Sequence, residues 1–517
     1  MFSAPLPLWL ALVVGALAGP VIDAGFPDRG LWLLAILGAA LVFWALVGRG
    51  FWSGFLVGLV AGGTFWGTHI SWLTAYLGPV PWLGLSGIET VFFAVGAGMI
   101  AVVLTHGNRQ WPSRWRRLGF VPLIVAGLWT GREAVNAVWP YGGFAWGRLA
   151  LSQSESPFGS LAAWVGISGL SFLLAWIAVL ALQLMRESTM HLLTRVLIAV
   201  AVITVLVAIP NWPAPTQGTT TIAAVQGNSN VGLFARFKPG EILNDHVAAT
   251  MPILGRSVDM VVWPENAADV DPSHSSQSAA VLDSVSASMN APLIVGTITQ
   301  SGDLFFNSSL EWVAGRGIVD QYDKIHPVPF AEYVPNREFF SRLAPSLIGL
   351  VTREYAVGTR SPNLTVGSVN AGVLICFDVA DDAIVSQSIV GGAQVILAQT
   401  NNADFGHTDE SVQQLAIARL RAIETGRTVV NVSTVGTSAI IAPDGATINR
   451  LPTFTTGSMI DTVPLSSTRT PASYVGRPVE LLVSVVGLIG LFGLCIEATA
   501  QKSRRRSSAR RASSASK

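Results

Sequence analysis

Residues 258–266, VDMVVWPEN, form an aliphatic run that ends in a polar turn. A second run of the same kind, AGVLICF at 371–377, is followed directly by an acidic residue. Short runs that are rich in β-branched or aliphatic residues and end in turn residues are typical of buried strands. The two segments therefore predict strands inside a folded, non-membrane region.

Similar runs on either side extend this region over the polar part of the chain. They lie at 219–225, 292–298, 305–313, 394–399 and 428–441. The clearest helix between them covers 408–425, with Thr408 or Asp409 as its N-cap and Gly426 as its terminator. Strands that alternate with helices predict a layered α/β domain.

Apolar stretches flank this domain, and each has close to the 20 residues or so that a membrane-spanning helix needs. They lie at 6–24, 31–48, 51–76, 82–105, 118–138, 157–185, 193–210 and 479–496. The first stretch lacks a basic n-region and is read as a retained helix rather than a cleaved signal peptide. The sequence thus predicts seven helices in 1–212, the α/β domain in 213–470, an eighth helix in 471–497 and a basic tail in 498–517.

Composition supports a membrane protein. Half of the 517 residues are hydrophobic and only 12% are charged, against about 25% in ordinary soluble domains. The net charge of +1 argues against a nucleic-acid partner. Cys376 and Cys495 are too few for a disulfide framework or a cysteine-rich metal site, and the seven histidines show no metal-ligand spacing. We therefore expect neither a metal nor an organic cofactor.

The basic residues predict which way the chain crosses the membrane. Loop 106–117 holds four arginines, and Arg49, Arg186 and Arg195 lie near other span ends. Residues 502–517 add seven basic residues and no acid. With eight spans all these groups share one side, and cytoplasmic loops are the ones enriched in Lys and Arg. The α/β domain is therefore predicted to be extracytoplasmic, with the tail in the cytoplasm.

Three residues of the α/β domain follow predicted strands or lie in loops and could perform catalysis: Glu265, Lys324 and Cys376. A cysteine nucleophile needs a base to form the thiolate and a positive group to stabilise developing negative charge. Taken singly, each residue has an ordinary interpretation: a small buried side chain for the cysteine, a turn residue for the glutamate and a solvated side chain for the lysine. Spacing alone leaves both interpretations open.

The motifs around these residues resemble those of the carbon–nitrogen hydrolase (nitrilase) superfamily. With the preceding helices, nearly the whole chain resembles the apolipoprotein N-acyltransferase family of bacteria. The matching segments are QGN (226–228), WPEN (263–266), FFNSS (305–309), YDK (322–324), VPFAEYVP (328–335), LICFD (374–378), QTNNADFG (399–406) and QQLAIARLRAIETGR (413–427). Part of the helical region, from Trp129 to Gln153, is similar to that family's fifth span and its exit loop.

The resemblance implies an αββα sandwich for the α/β domain and assigns roles to its residues. Glu265 would be the general base, Lys324 would stabilise the oxyanion and thiolate, and Cys376 would be the nucleophile. Glu332 matches a further glutamate that supports the site in the family. A backbone N–H just after the nucleophile would complete the oxyanion hole.

The sequence departs from the family in two places. Phe377 and Asp378 stand where the family often has Tyr-Glu, so contacts to the substrate could differ, although the Glu-Lys-Cys set is intact. The loop after QGN often carries a tryptophan in the family. Here the nearest aromatic residues are Phe234 and Phe237, and no role is assigned to them.

The resemblance also implies the reaction and its partners. An acyl chain would pass from a membrane phospholipid to a Cys376 thioester, and then to the N-terminal amine of an S-diacylglyceryl-cysteine apolipoprotein, with ping-pong kinetics. The expected location is the bacterial inner membrane. Two alternatives remain: a membrane-tethered amidase or nitrilase that hydrolyses a small amide, and a ligand-binding receptor or transporter without catalysis.

Two groups of residues in the predicted spans have no fixed interpretation. Gly54, Gly58 and Gly62 form a series with the spacing of a close helix contact, but glycine is so frequent here that chance also explains it. Glu89 and the pair Arg132–Glu133 are ionisable residues at or near membrane depth, where such residues are often functional. A position at the membrane interface explains the Arg132–Glu133 pair equally well.

Overall fold

A computed structural model describes residues 5–229 and 238–515 of the chain. Phe234, Phe237 and the last two residues of the basic tail lie outside the described residues. The helices of the first part are α1 Leu8–Asp23, α2 Leu33–Leu46, α3 Phe51–His69, α4 Leu73–Leu77, α5 Pro79–Gln110, α6 Arg114–Asn136, α7 Ala162–Arg186 and α8 Leu192–Val207. The later helices are α9 Glu241–Thr250, α10 Ser276–Met289, α11 Arg337–Leu343, α12 Pro345–Ile348, α13 Asp382–Val390, α14 Glu410–Thr425 and α15 Pro471–Ala515.

A helix occupies each of the eight apolar stretches that the sequence predicts to span the membrane. Among the described residues, four helices are long and apolar enough to cross a membrane: α5, α6, α7 with its preceding turn, and α15. The helices α1, α2 and α8 are apolar but shorter. The third predicted span ends earlier than expected, because α3 stops at His69 and the chain turns before α4.

The glycine series of α3 lies against α5. A Cβ atom added at Gly54 would come within 2.4 Å of the Ala101 Cβ, and one added at Gly58 within 2.5 Å of the Ala97 Cβ. At Gly62 the added atom would meet Phe93 at 2.8 Å. These distances are too short for real side chains, so the series is a close helix contact of the small-residue type.

The polar region folds into two six-stranded sheets. The strands are β1 Thr219–Gln226, β2 Met260–Val262, β3 Leu293–Ser301, β4 Leu304–Val313, β5 Gly317–Asp323, β6 Asn363–Val366, β7 Val369–Ile375, β8 Val395–Thr400, β9 Val429–Ser433, β10 Ala439–Ile441, β11 Thr447–Arg450 and β12 Gly457–Pro464. One sheet has the order β12-β1-β2-β3-β4-β5, and the other has the order β11-β10-β9-β8-β7-β6. In each sheet three neighbouring strands are parallel, β1-β2-β3 and β7-β8-β9, and the outer pairs are antiparallel.

The two sheets pack face to face with helices on both outer sides. Aliphatic residues of β1 and β2 share a buried core with those of β7, β8 and β9. A second core joins the first sheet to α9 and α10. A third joins α13, α14 and the second sheet to the helices of the N-terminal part. The predicted layered α/β fold is thus present with two sheets, and α14 lies between the second sheet and the N-terminal helices.

The strand predictions need two corrections. The single run predicted at 428–441 is two strands, because residues between Ser433 and Ala439 form a tight turn and β9 and β10 pair antiparallel. Four strands were not predicted: β5, β6, β11 and β12. They lie at or next to sheet edges and are partly exposed, so they lack the continuous aliphatic runs that mark the central strands.

The basic loops gather at one end of the helices. Thr105, near the end of α5, donates a hydrogen bond to the carbonyl of Arg49 at 2.8 Å. Arg117 at the start of α6 pairs with Glu187 after α7, at 2.7 Å. The helix α3 begins two residues after Arg49 and extends for 19 residues, about 28 Å, to its other end. That other end contacts the α/β domain.

Candidate active site

Cys376 begins the turn that follows the central strand β7. Its φ is +52°, a left-handed conformation that is uncommon for a residue with a side chain. A short 3₁₀ helix, Cys376–Ala380, follows at once. Strained backbone of this kind is concentrated at functional sites.

Glu265, Lys324 and Glu332 lie in one hydrogen-bonded network around Asn307. The side-chain amide of Asn307, on β4, donates to Glu265 Oε1 and to Glu332 Oε1, both at 2.7 Å. Lys324 directly follows β5, and its Nζ lies 2.9 Å from Glu332 Oε2. The Val328 N–H donates to the same oxygen at 2.5 Å. The structure therefore brings together residues that are up to 67 positions apart in the chain.

Burial and the charges of these groups shift their pKa values. Burial raises the pKa of Glu265 to about 7, against the opposing attraction of Lys324. Burial also raises the pKa of the Cys376 thiol, as does Glu265, while Lys324 lowers it. Burial alone would lower the pKa of Lys324, but Glu332, Cys376 and Glu265 outweigh it and raise that pKa. Lys324 therefore stays positive, and a carboxyl group with a pKa near neutrality can exchange protons beside the thiol.

Asp378 and Phe377 have different surroundings. Asp378 is buried and accepts hydrogen bonds from the Tyr322 hydroxyl at 2.9 Å and the Ile375 N–H at 3.0 Å. Burial raises the pKa of Asp378 to about 7, while Lys324 opposes the shift. Phe377 instead stacks almost parallel to Phe144, with 5.9 Å between ring centroids. Phe377 thus faces the N-terminal helical part.

Cys376 lies at the junction between the two parts of the molecule. Trp146, from the loop after α6, also stacks on Phe377 at 5.9 Å. The indole N–H groups of Trp72 and Trp146 both donate to Gln413 Oε1, at 3.0 and 2.7 Å. The Gln413 amide donates in turn to the carbonyl of His69 at the end of α3, at 3.2 Å.

The sequence analysis missed three polar residues of the site: Asn402, Glu410 and Gln414. The Asn402 amide donates to Glu410 Oε2 at 2.7 Å and to Gln414 Oε1 at 2.8 Å. The Gln414 amide nitrogen lies 3.9 Å from the Cys376 sulfur. The sequence pattern that could have indicated two of them is the start of α14, where Glu410 and Gln414 are one helical turn apart and share a face.

The ionisable residues of the helical part have mainly structural contacts. Glu133 accepts hydrogen bonds from the Trp129 indole at 2.7 Å and the Leu149 N–H at 3.1 Å, which ties α6 to the loop after it. The Asn136 amide donates to Glu89 at 2.5 Å. The Arg132 guanidinium lies over two aromatic rings, 4.4 Å from that of Trp129. Within the described residues, no cluster of three or more His, Cys, Asp or Glu is arranged to hold a metal ion.

An ion cluster of two buried arginines and a partly exposed aspartate joins the two parts beside the site. Asp382, at the start of α13, lies 2.7 Å from Arg148 and 2.6 Å from Arg421. Arg148 belongs to the loop after α6, whereas Arg421 lies on α14 and also pairs with Glu424 at 2.6 Å. The position of the N-terminal helices relative to the cluster around Cys376 is therefore held by charge pairs as well as by packing.

Two family models match the chain. Residues 18–180 match the apolipoprotein N-acyltransferase N-terminal domain, and residues 221–472 match the carbon–nitrogen hydrolase family. The second match contains the two sheets and the cluster around Cys376. Together the two models cover most of the helical part that precedes α8 and nearly all of the α/β domain, in the order in which they occur.

Curated relatives match over most of their length. The apolipoprotein N-acyltransferase of Mycolicibacterium smegmatis is 31% identical, with 91% of this chain and 82% of that protein covered. The enzyme of the same name from Shewanella oneidensis is 28% identical, with 93% and 95% covered. Among solved structures, a nitrilase-superfamily amidase from Nesterenkonia AN1 is similar at 16% identity and a TM-score of 0.38, with 49% of this chain and 94% of that chain covered.

Proposed function

Since the chain belongs to the apolipoprotein N-acyltransferase family, we propose that it carries an acyl chain on Cys376 from a membrane phospholipid to a diacylglyceryl apolipoprotein. The acceptor is the N-terminal amine of the lipid-modified cysteine. The observation that carries this proposal is the stacking of Phe377 on Phe144 and Trp146. It joins the residue next to the nucleophile to the helical part, where lipid substrates would approach.

The first half-reaction forms the thioester. Glu265, as carboxylate, accepts the Cys376 thiol proton, and the sulfur attacks the ester carbonyl of the phospholipid. The carbon–oxygen bond breaks, and the proton held by Glu265 passes to the leaving lysophospholipid oxygen. Lys324, which pairs with Glu332 at 2.9 Å, stabilises the tetrahedral oxyanion together with the backbone N–H that follows the nucleophile.

The second half-reaction forms the amide. The α-amine of the apolipoprotein cysteine attacks the thioester carbonyl and gives its proton to Glu265. The carbon–sulfur bond breaks, and the sulfur takes that proton back, so the enzyme returns to its starting state. Two substrates that use one nucleophile in turn give ping-pong kinetics. Asp378, held by Tyr322 and the backbone, supports the turn that carries Cys376.

Site-directed variants test the proposal directly. Membranes that contain the protein are incubated with phospholipid and a diacylglyceryl lipopeptide, and the lipopeptide mass is measured. We expect the parent chain to add one acyl group and Cys376→Ala to add none. Cys495→Ala is the matched control, because that cysteine lies on α15 outside the site, and it should retain activity. An unmodified lipopeptide with the parent chain would refute the acyltransferase proposal.

The same experiment distinguishes the acyltransferase proposal from the hydrolase and receptor alternatives. An acyl thioester on Cys376 that is released only to water would indicate a hydrolase that uses the same three residues. Release of ammonia from small amides, without any acyl product, would indicate an amidase. The receptor alternative predicts that Cys376→Ala leaves every property of the protein unchanged.

A further inference from the structure

Gln414 places its side-chain amide beside the nucleophile. It lies one turn into α14, is only 1% exposed, and its Nε2 is 3.9 Å from the Cys376 sulfur. A thiolate is larger and more diffuse than an oxygen anion, and it accepts hydrogen bonds at longer distances. The contact therefore has the length of an N–H···S hydrogen bond.

The orientation of this amide is fixed by Asn402. The Asn402 Nδ2 donates to Gln414 Oε1 at 2.8 Å, so the oxygen end of Gln414 faces Asn402 and the nitrogen end faces the sulfur. The other proton of Asn402 Nδ2 goes to Glu410 Oε2 at 2.7 Å. Both donor positions of this amide are therefore used.

The orientation of Asn402 is fixed in turn by two hydroxyl groups. Its Oδ1 accepts from the Thr400 hydroxyl at 3.0 Å and from the Ser433 hydroxyl at 2.5 Å. The Ser433 oxygen already accepts from the Gly436 N–H at 2.9 Å, so its own proton is free to go to Asn402. Turning the Asn402 amide over would disrupt these contacts. The Asn402 nitrogen therefore faces Gln414 Oε1, and the Gln414 nitrogen faces the sulfur.

Cys376 needs such a donor. Burial raises the pKa of the thiol, as do the carboxyl groups of Glu265, Glu410 and Glu332, and Lys324 is the positive group that opposes them. Lys324 also forms an ion pair with Glu332, with 2.9 Å between Nζ and Oε2. A neutral N–H donor stabilises negative charge on sulfur without adding a charge that would alter Glu265.

We propose that Gln414 is a further catalytic residue, whose amide donates a hydrogen bond to the Cys376 thiolate, and that Asn402 is the positioning residue that directs it. This rests on the proposed role of Cys376 as nucleophile, but not on the identity of the acyl donor. Gln414 thus acts on the sulfur both when the thiolate forms and when it leaves the thioester.

The test measures the thiol itself. In a Cys495→Ala background the full chain has one cysteine, and its alkylation by iodoacetamide is followed against pH in detergent. We expect Gln414→Met, which has similar volume but no donor, to raise the apparent pKa of Cys376 by about one pH unit and therefore to slow alkylation below that pKa about tenfold. Gln414→Glu, of nearly the same shape, should raise that apparent pKa further, because a carboxylate adds negative charge.

Controls keep the outcomes separate. Ser411→Ala on the same helix should leave the alkylation profile unchanged, and Asn402→Ala should shift it less than Gln414→Met. A purely structural role for Gln414 predicts the same thiol pKa in the Gln414→Met variant as in the parent, and that result would overturn the proposal. If Gln414→Met fails to fold, Gln414→Leu, which is also neutral and lacks a donor, carries the test. Alkylation needs no lipid, so failure of the acyltransferase assay would leave this result readable.

Discussion

At the scale of single residues, the proposed role of Glu265 as a base depends on its protonation state. Burial raises its pKa to about 7, so it is mostly protonated below neutral pH and mostly a carboxylate above it. A base must be deprotonated to accept the thiol proton. We therefore expect the rate of acylation of Cys376 to rise with pH through about 7, measured as thioester formed from labelled phospholipid. A rate that stays constant over about one pH unit on either side of 7 would contradict this.

Asn307 opposes the effect of burial on that pKa, because its amide nitrogen donates a hydrogen bond to Glu265 as well as to Glu332. Asn307→Leu removes a donor that favours the carboxylate form of Glu265. We expect the ascending limb of the pH profile to move to higher pH and the rate at pH near 7 to fall about tenfold, as for loss of a hydrogen bond to a charged group. A lower rate with an unmoved limb would indicate a packing defect instead.

At the scale of elements, the contact between α3 and α5 depends on glycine. A Cβ at Gly58 would lie 2.5 Å from the Ala97 Cβ, so a larger side chain must push the helices apart. We expect Gly58→Leu to destabilise the protein by about 1–3 kcal/mol, seen as a lower Tm in detergent. Gly87→Leu is the matched control, since a Cβ at that position of α5 meets nothing within 4 Å. Equal Tm values for the two variants would contradict the close contact.

Asp382 links three elements, through Arg148 in the loop after α6 and Arg421 on α14. Burial alone would raise the pKa of Asp382, but the two arginines outweigh it and lower the pKa to about 2. The folded pKa lies below the unfolded value of about 3.9, so the stabilisation is present above about pH 4 and is lost as the pH falls towards 2.

Removing this carboxylate leaves two buried arginines without their shared partner. We expect Asp382→Asn to cost about 3 kcal/mol of stability at neutral pH, measured by thermal unfolding in detergent. Arg342→Ala is the control, because Arg342 and Glu338 form an exposed pair whose loss should cost less than about 1 kcal/mol. A similar small effect for both variants would show that the cluster does not hold the two parts together.

At the scale of the whole molecule, the basic loops and the α/β domain lie at opposite ends of α3. Arg49 precedes one end of that helix, and the carbonyl of His69 at the other end accepts from Gln413. Because loops rich in Lys and Arg stay in the cytoplasm, we propose that the α/β domain is extracytoplasmic and that eight helices cross the membrane.

Cysteine labelling tests this orientation. In a Cys376→Ala, Cys495→Ala background, Asp303→Cys lies in an exposed turn of the α/β domain, and Ser503→Cys lies in an exposed position near the start of the tail. We expect an impermeant maleimide added outside the cells to label Asp303→Cys and to miss Ser503→Cys until the membrane is permeabilised. The reverse pattern would refute the proposed sidedness.

The sequence alone predicted the central strands, α14 with its Gly426 terminator, a helix in each apolar stretch and three residues suited to catalysis. These features depend on local periodicity, on turn residues and on motifs that are contiguous in the chain. It did not predict the edge strands, whose exposure weakens the pattern, or the end of α3 at His69.

Only the tertiary structure decided how distant residues meet. Asn307 bridges two glutamates from separate loops, Gln414 reaches the sulfur from another helix, and Phe377 stacks on two rings of the helical part. Each contact joins segments far apart in the chain. Their approach is set by the packing of two sheets and of α14 against the N-terminal helices, and no local pattern in the sequence encodes that packing.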